Sequence, residues 1–124
     1  MSAQTYTISG QLVLNNDSCR TIATLSENTT TSGSNSIANT ANIPTGSVWT
    51  MLPTGSIGDF RFGYFSNLDV SASIKIAIGN TASYASNLQI GDFCILTNIG
   101  SAQLYALATG SLLPALLQYI LVES

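Results

Sequence analysis

Apolar and polar residues alternate along most of this chain with a period of two. The pattern is plainest between Asp59 and Ile78. Phe60, Phe62 and Tyr64 recur at every second position, with Arg61, Gly63 and Phe65 between them. Val70, Ala72, Ile74, Ile76 and Ile78 then alternate with Ser71, Ser73, Lys75 and Ala77. Successive side chains of a strand point to opposite faces, so this period predicts two β-strands. Ser66-Asn67-Leu68-Asp69 between them holds turn formers whose side chains can hydrogen-bond their own backbone. The stretch reads as a β-hairpin.

The same rhythm recurs on either side. Thr5 to Leu14 is a strand, with a bulge or bend expected at Gly10. Asn15 to Ser18 is a turn, and Arg20 to Leu25 is a second, β-branched strand. Val48, Trp49, Met51 and Leu52 form a short strand between two Pro-Thr-Gly-Ser turns. Asp92 to Thr97 and Ala102 to Ala108 are further strands, and Leu116 to Glu123 closes the chain. In that last segment both faces are apolar, Leu117, Tyr119 and Leu121 on one and Leu116, Ile120 and Val122 on the other. A central strand covered on both sides has this pattern, and so does a strand packed against another subunit. Ile57-Gly58-Asp59-Phe60 and Ile90-Gly91-Asp92-Phe93 repeat one tetrapeptide, each opening a strand. An internal two-fold and a Gly-Asp turn used twice both account for it.

Ser26 to Asn42 departs from this rhythm. It is almost wholly Ser, Thr, Asn, Gly and Ala, with Ile37 its only large apolar residue. So long a structureless loop is uncommon inside a compact domain. Part of it is expected to be an edge strand and the rest a projecting loop or arm. Short strands punctuated by Gly, Pro and Asn, with no amphipathic helix, make an all-β fold. The expectation is a single antiparallel β-sandwich or jelly roll of about eight strands over 1–124.

Composition narrows the function. The charged fraction is 7%, against about 25% in a typical globular domain. A surface of Ser, Thr, Asn and Gln lacks the repulsion that keeps copies apart. It suits either a subunit covered by its neighbours or an uncharged secreted exterior. Three cations against six acids give no basis for holding phosphates, so nucleic acid is not an expected partner. No apolar run approaches the ~18 residues of a membrane-spanning helix, and the first residues lack the pattern of a signal peptide.

The chain has no histidine, which removes Ser-His-Asp and Cys-His catalysis and the commonest metal ligand. Neither phosphate-cradling glycine motif is present. Cys19 and Cys94 are the only cysteines, and without histidine they do not suggest a zinc site. Cys94 reads as a buried thiol; nothing in the sequence places it beside Cys19. Carboxylate-pair hydrolysis is the one catalytic class with candidates, Asp59, Asp69 and Asp92. The competing reading has these acids capping turns, as Asn15-Asn16-Asp17 would without calcium. No enzyme activity and no cofactor are expected. Arg61 and Lys75, on the two strands of the expected hairpin, are placed either to pair across it with Asp59 and Asp69 or to make polar contacts across a subunit boundary. Trp49, Tyr64, Phe65 and Tyr84 are aromatic candidates for an interface or a sugar-binding surface. Leu116, Tyr119, Ile120 and Val122 join them as interface candidates on the terminal strand.

FRFGYFSNLD, SIKIAI, LQIGDFCIL, LYALA and the terminal LQYILVE together resemble the small β-sandwich structural proteins of tailed bacteriophage virions. The resemblance covers roughly the second half of the chain and rests on rhythm and composition. It implies a virion protein made in the host cytoplasm: a capsid decoration protein, or a neck, tail or fibre-associated subunit. Its partners would be copies of itself and other virion proteins. The alternative is a carbohydrate- or receptor-binding module of a fibre or surface assembly.

Overall fold

The structure is a computed structural model and describes residues 4–15, 20–31, 35–44, 46, 48–110 and 113–124. Every regular element among them is a strand, and the chain divides into two compact units, Met1–Ser34 and Asn35–Ser124. The sandwich thus occupies the second unit and not the whole of 1–124. In the first unit β1 (Gln4–Asn15) pairs antiparallel with β2 (Arg20–Thr31) in unbroken register. No bulge forms at Gly10, which sits opposite Leu25. Strand β2 runs six residues beyond Leu25, ending in three threonines whose β-branched side chains favour the extended backbone. The turn expected at Asn15 to Ser18 lies mostly outside the described residues, as does Cys19.

The second unit holds eight strands: β3 (Ser36–Ile43), β4 (Thr50–Met51), β5 (Phe60–Asn67), β6 (Ser73–Ile78), β7 (Ser86–Leu88), β8 (Phe93–Gly100), β9 (Leu104–Thr109) and β10 (Ala115–Glu123). All pairings are antiparallel. Sheet 1 has the order β3-β10-β5-β8 and sheet 2 the order β4-β9-β6-β7. The first strand pairs with the last, β4 with β9, β5 with β8 and β6 with β7. The unit is one long hairpin of paired strands, rolled so that successive pairs fall in alternate sheets. The Ser/Thr/Asn stretch supplies the end of β2 and nearly all of β3, which is an edge strand. The terminal strand β10 lies between β3 and β5, with Leu117, Tyr119 and Leu121 in the core and Leu116, Ile120 and Val122 on the outer face.

The inner layer between the sheets is filled by alternate positions. From sheet 1 come Ile43, Phe65, Leu117, Tyr119 and Leu121; from sheet 2 come Ile74, Ile76, Leu104, Ala106 and Ala108. Strict alternation fails at one place. The register of β5 shifts between Phe60 and Phe62 against β8, and β10 shifts at Val122 and Glu123. A bulge there flips the parity, so Phe60 and Phe65 both reach the core while Phe62 and Tyr64 take the outer side. Gly63 is small for a local reason. A Cβ on it would stand 2.8 Å from Ile99 Cδ1 and 2.9 Å from the Phe65 ring.

The expected hairpin over 59–78 does not form. Strand β5 pairs with β10 and β8, and β6 pairs with β9 and β7, so the turn formers carry the chain from one sheet to the other. Period-two alternation identifies a strand but not its partner. The crossover is held by Asn67, which is 1% exposed. Its side-chain amide donates to the carbonyls of Ala72 at 2.8 Å, Leu88 at 3.1 Å and Gln89 at 3.1 Å. Two hydrogens serve three acceptors, so one bond is shared. Its Oδ1 accepts from the Asp69 amide at 2.9 Å, and its own amide donates to the Asp92 carbonyl at 2.9 Å. Replacing Asn67 with Leu keeps the volume but leaves buried carbonyls unpaired, at a cost of about 1–3 kcal/mol each. Urea unfolding of Asn67→Leu should show a loss of at least that size; an unchanged midpoint would remove the crossover from any structural role.

Candidate functional site

Sheet 1 has an unusual outer face. The registers of its four strands align Ala38, Ile120, Tyr64 and Ile95 in one row. Ser36, Val122, Phe62 and Thr97 form the next row, and Thr40, Gln118, Ser66 and Phe93 the row on the other side. Leu116 and Asn42 extend the face by a further pair. Seven of these positions are large and apolar, and none of the rows contains a charged residue. Phe62 and Val122 are buried; Tyr64, Ile95, Leu116 and Ile120 are half-buried; Phe93 is 61% exposed. The Tyr64 and Phe93 rings lie 6.0 Å apart, tilted at 33°, within the range of favourable aromatic pairs.

Four of the sequence candidates, Tyr64, Leu116, Ile120 and Val122, therefore come together on one surface. Phe62, Phe93 and Ile95 belong with them and were not singled out, because their grouping depends on which strands are neighbours. Two candidates belong to the core. Phe65 and Tyr119 are fully buried in the core and are not interface residues. The Tyr119 hydroxyl accepts from Asn39 Nδ2 at 3.1 Å and donates to the Pro53 carbonyl at 2.8 Å. It ties the β3 edge to the segment after β4. Trp49 is half-buried just ahead of β4.

Sheet 2 presents a more polar outer face, with Ser73 opposite Thr109, Lys75 opposite Leu107 and Ala77 opposite Tyr105. Tyr84, 50% exposed in the loop before β7, has Lys75 Nζ 4.8 Å from its ring centroid. An exposed cation–π contact of this kind is worth about 0.5–1 kcal/mol. With β5 and β6 in different sheets, the hairpin that was expected to bring these charges together is absent. Lys75 is held by Tyr84, and Asp69 is held by backbone amides.

The three aspartates serve as turn and terminus residues. Asp92 Oδ2 accepts from the Gln89 amide at 3.0 Å, and the Asp92 amide returns a bond to the Gln89 carbonyl at 3.0 Å. Gly91, at φ +80°, supplies the left-handed position of that turn. The Asp59 carbonyl accepts from the Ser124 amide at 2.9 Å. Among the described residues no three His, Cys, Asp or Glu side chains gather as a metal site would require. No described helix is long and apolar enough to cross a membrane. Cys94 is half-buried against the core, and burial pushes its thiol up despite the Ser86 hydrogen bond.

The chain matches no protein-family model, no curated protein and no solved structure. The candidate surface thus rests on its own geometry.

Asp69 has a lowered carboxyl. The Ser71 and Ala72 amides, at 3.1 and 2.8 Å, hold it below its ordinary value of 3.8, with smaller help from the Leu116 amide and the Ser71 hydroxyl. Its partial burial works in the opposite direction. In the unfolded chain the group titrates at its ordinary value. The charged form therefore favours the fold, fully above that value, and the benefit disappears as pH falls through the depressed folded value. Asp69→Asn should lower the melting temperature at neutral pH and flatten its decline below about pH 4. A thermal-melt series from pH 2 to 7 checks this; parallel curves for the two proteins would refute it.

Proposed function

We propose that this chain is a non-enzymatic structural subunit that acts through protein–protein contacts, as a capsid decoration protein or a neck, tail or fibre-associated subunit of a virion. The observation that carries the reading is the uncharged, apolar outer face of sheet 1. Polar atoms of the solvent-facing side of a monomeric sandwich normally alternate with the core residues. Here Tyr64, Phe93, Ile95, Leu116 and Ile120 occupy that side with part of their surface accessible. Large apolar patches of this kind mark contact sites. The strand order supports the reading at the level of architecture. We read the rolled hairpin as a jelly roll, a form found in viral capsid and lectin domains, although architecture alone does not decide between such roles.

The partners on this reading are copies of the chain and other virion proteins. Ile120 lies at the centre of the face, between Ala38 and Tyr64. Ile120→Lys should reduce the mass of the native assembly, measured by light scattering, while shifting its melting temperature by only a few degrees. A wild-type protein that is monomeric at every concentration, and binds no particle from its source, would overturn the proposal.

One observation favours the second reading, a carbohydrate- or receptor-binding module. Tyr84 offers a half-exposed ring, with the Lys75 cation over one face, on the polar side of sheet 2. A stacked sugar would lose at least tenfold in affinity on Tyr84→Ala, about 1.4 kcal/mol, in a glycan-array and calorimetric comparison. No glycan bound by the wild-type protein would remove this reading.

A further inference from the structure

Sheet edges expose unpaired backbone groups, and proteins blunt them with short strands, charges, prolines or bulges. The two sheets differ in this respect. The edges of sheet 2 are β4 and β7, of two and three residues. The edges of sheet 1 are β3 and β8, of eight residues each, SIANTANI and FCILTNIG, without a charge or a proline in either. The β8 edge is broken by the register shift at Phe60 and Phe62. The β3 edge runs in unbroken register along β10.

The Glu123 amide bonds the Asn35 carbonyl at 3.0 Å, so odd-numbered residues of β3 exchange hydrogen bonds with β10. Ser36, Ala38, Thr40 and Asn42 then turn their amides and carbonyls to the open edge. Thr40 confirms the phase, since its amide takes Asn39 Oδ1 at 2.9 Å and no β10 carbonyl. These four residues are small, uncharged and exposed.

We propose that the β3 edge pairs antiparallel with the β3 edge of a second copy about a two-fold axis, joining two copies of sheet 1 into one eight-stranded sheet. Ser36 would face Asn42, Ala38 would face Thr40, and Asn39 would face itself. Self-pairing sets no like charges opposite each other, and the two Glu123 carboxylates fall at opposite ends of the joint. A strand of eight residues is only about 26 Å long, so the pairing aligns copies while the apolar outer face supplies area. The inference rests on the assembly reading above and names the partner of one edge of the same sheet.

The test compares two edge variants with Ile120→Lys. Ala38→Pro removes an amide that no β10 carbonyl uses, and Thr40→Lys sets charge near charge across the joint. Both should halve the mass of the smallest stable species, seen by native mass spectrometry. In the wild-type assembly the amides of Ser36, Ala38 and Asn42 should be protected from hydrogen exchange. If Ile120→Lys dissolves the assembly while the folded Thr40→Lys protein keeps its mass, edge pairing is overturned and the assembly reading stands. Rapid exchange of all three amides in the intact assembly would also overturn it. A wild-type monomer at all concentrations defeats edge pairing, and the assembly reading falls with it if the monomer also binds no particle.

Discussion

A single buried amide joins the two sheets at one end of the sandwich. Asn67 is the last residue of β5, yet its side chain bonds the crossover at Ala72 and the end of β7 at Leu88 and Gln89. Its backbone amide holds the residue before β8. Leaving the core partners of that amide unpaired would cost more than the bonds gain, because buried polar groups must be satisfied. The direction of the chain out of β5 is fixed by this requirement. Asp69, one turn residue later, gathers the Ser71 and Ala72 amides and reaches the Leu116 amide at 3.4 Å, near the limit of a useful bond. The same short segment therefore sets where β6 departs and where β10 begins.

With β5 and β6 in opposite sheets, their neighbours divide between the sheets as well. Strand β5 is flanked by β10 and β8, and β6 by β9 and β7. Inner positions fill from both sheets, and each sheet is left with an outer face that has a different character. On sheet 1 most outward positions of β5, β8 and β10 are aromatic or aliphatic, with Ser66, Thr97 and Gln118 the polar ones. On sheet 2 they include Lys75, Ser73, Tyr105 and Thr109. The apolar face and the long uncharged edges belong to the same sheet. That coincidence is what makes sheet 1, and not sheet 2, the surface on which an assembly would be built.

Much of this was legible in the sequence. Period-two alternation marks β5, β6, β9 and β10, and the Asx chemistry of Asn67 and Asp69 is present as expected from their residue types. Partner choice was not legible. A turn-forming segment between two strands has the same local pattern whether it closes a hairpin or crosses between sheets. The bulge at Phe60 to Phe62 is also invisible locally: alternation sets Phe60 on the side of Tyr64, whereas Phe60 lies in the core with Phe65. The repeated Ile-Gly-Asp-Phe shows the limit clearly. Ile57 is 5% and Phe60 3% exposed, whereas Ile90 is 56% and Phe93 61% exposed. The tetrapeptide opens a strand both times, but long-range packing decides whether its apolar residues are inside.

The scarcity of charge gains meaning from where the charges lie. Asp59 precedes β5, Asp69 lies in the crossover, Asp92 precedes β8 and Glu123 ends β10. On the strands of sheet 1 only Arg61, in the bulge, and Glu123, at the terminus, are charged, and both sit at one end. The middle of that sheet and its β3 edge are left neutral. A freely diffusing monomer gains solubility from charges placed on such an edge and face. A chain with nine charged residues could still have spared one for β3. The absence of charge from the middle of sheet 1 and from its β3 edge fits a protein whose neutral surfaces are occupied by neighbours.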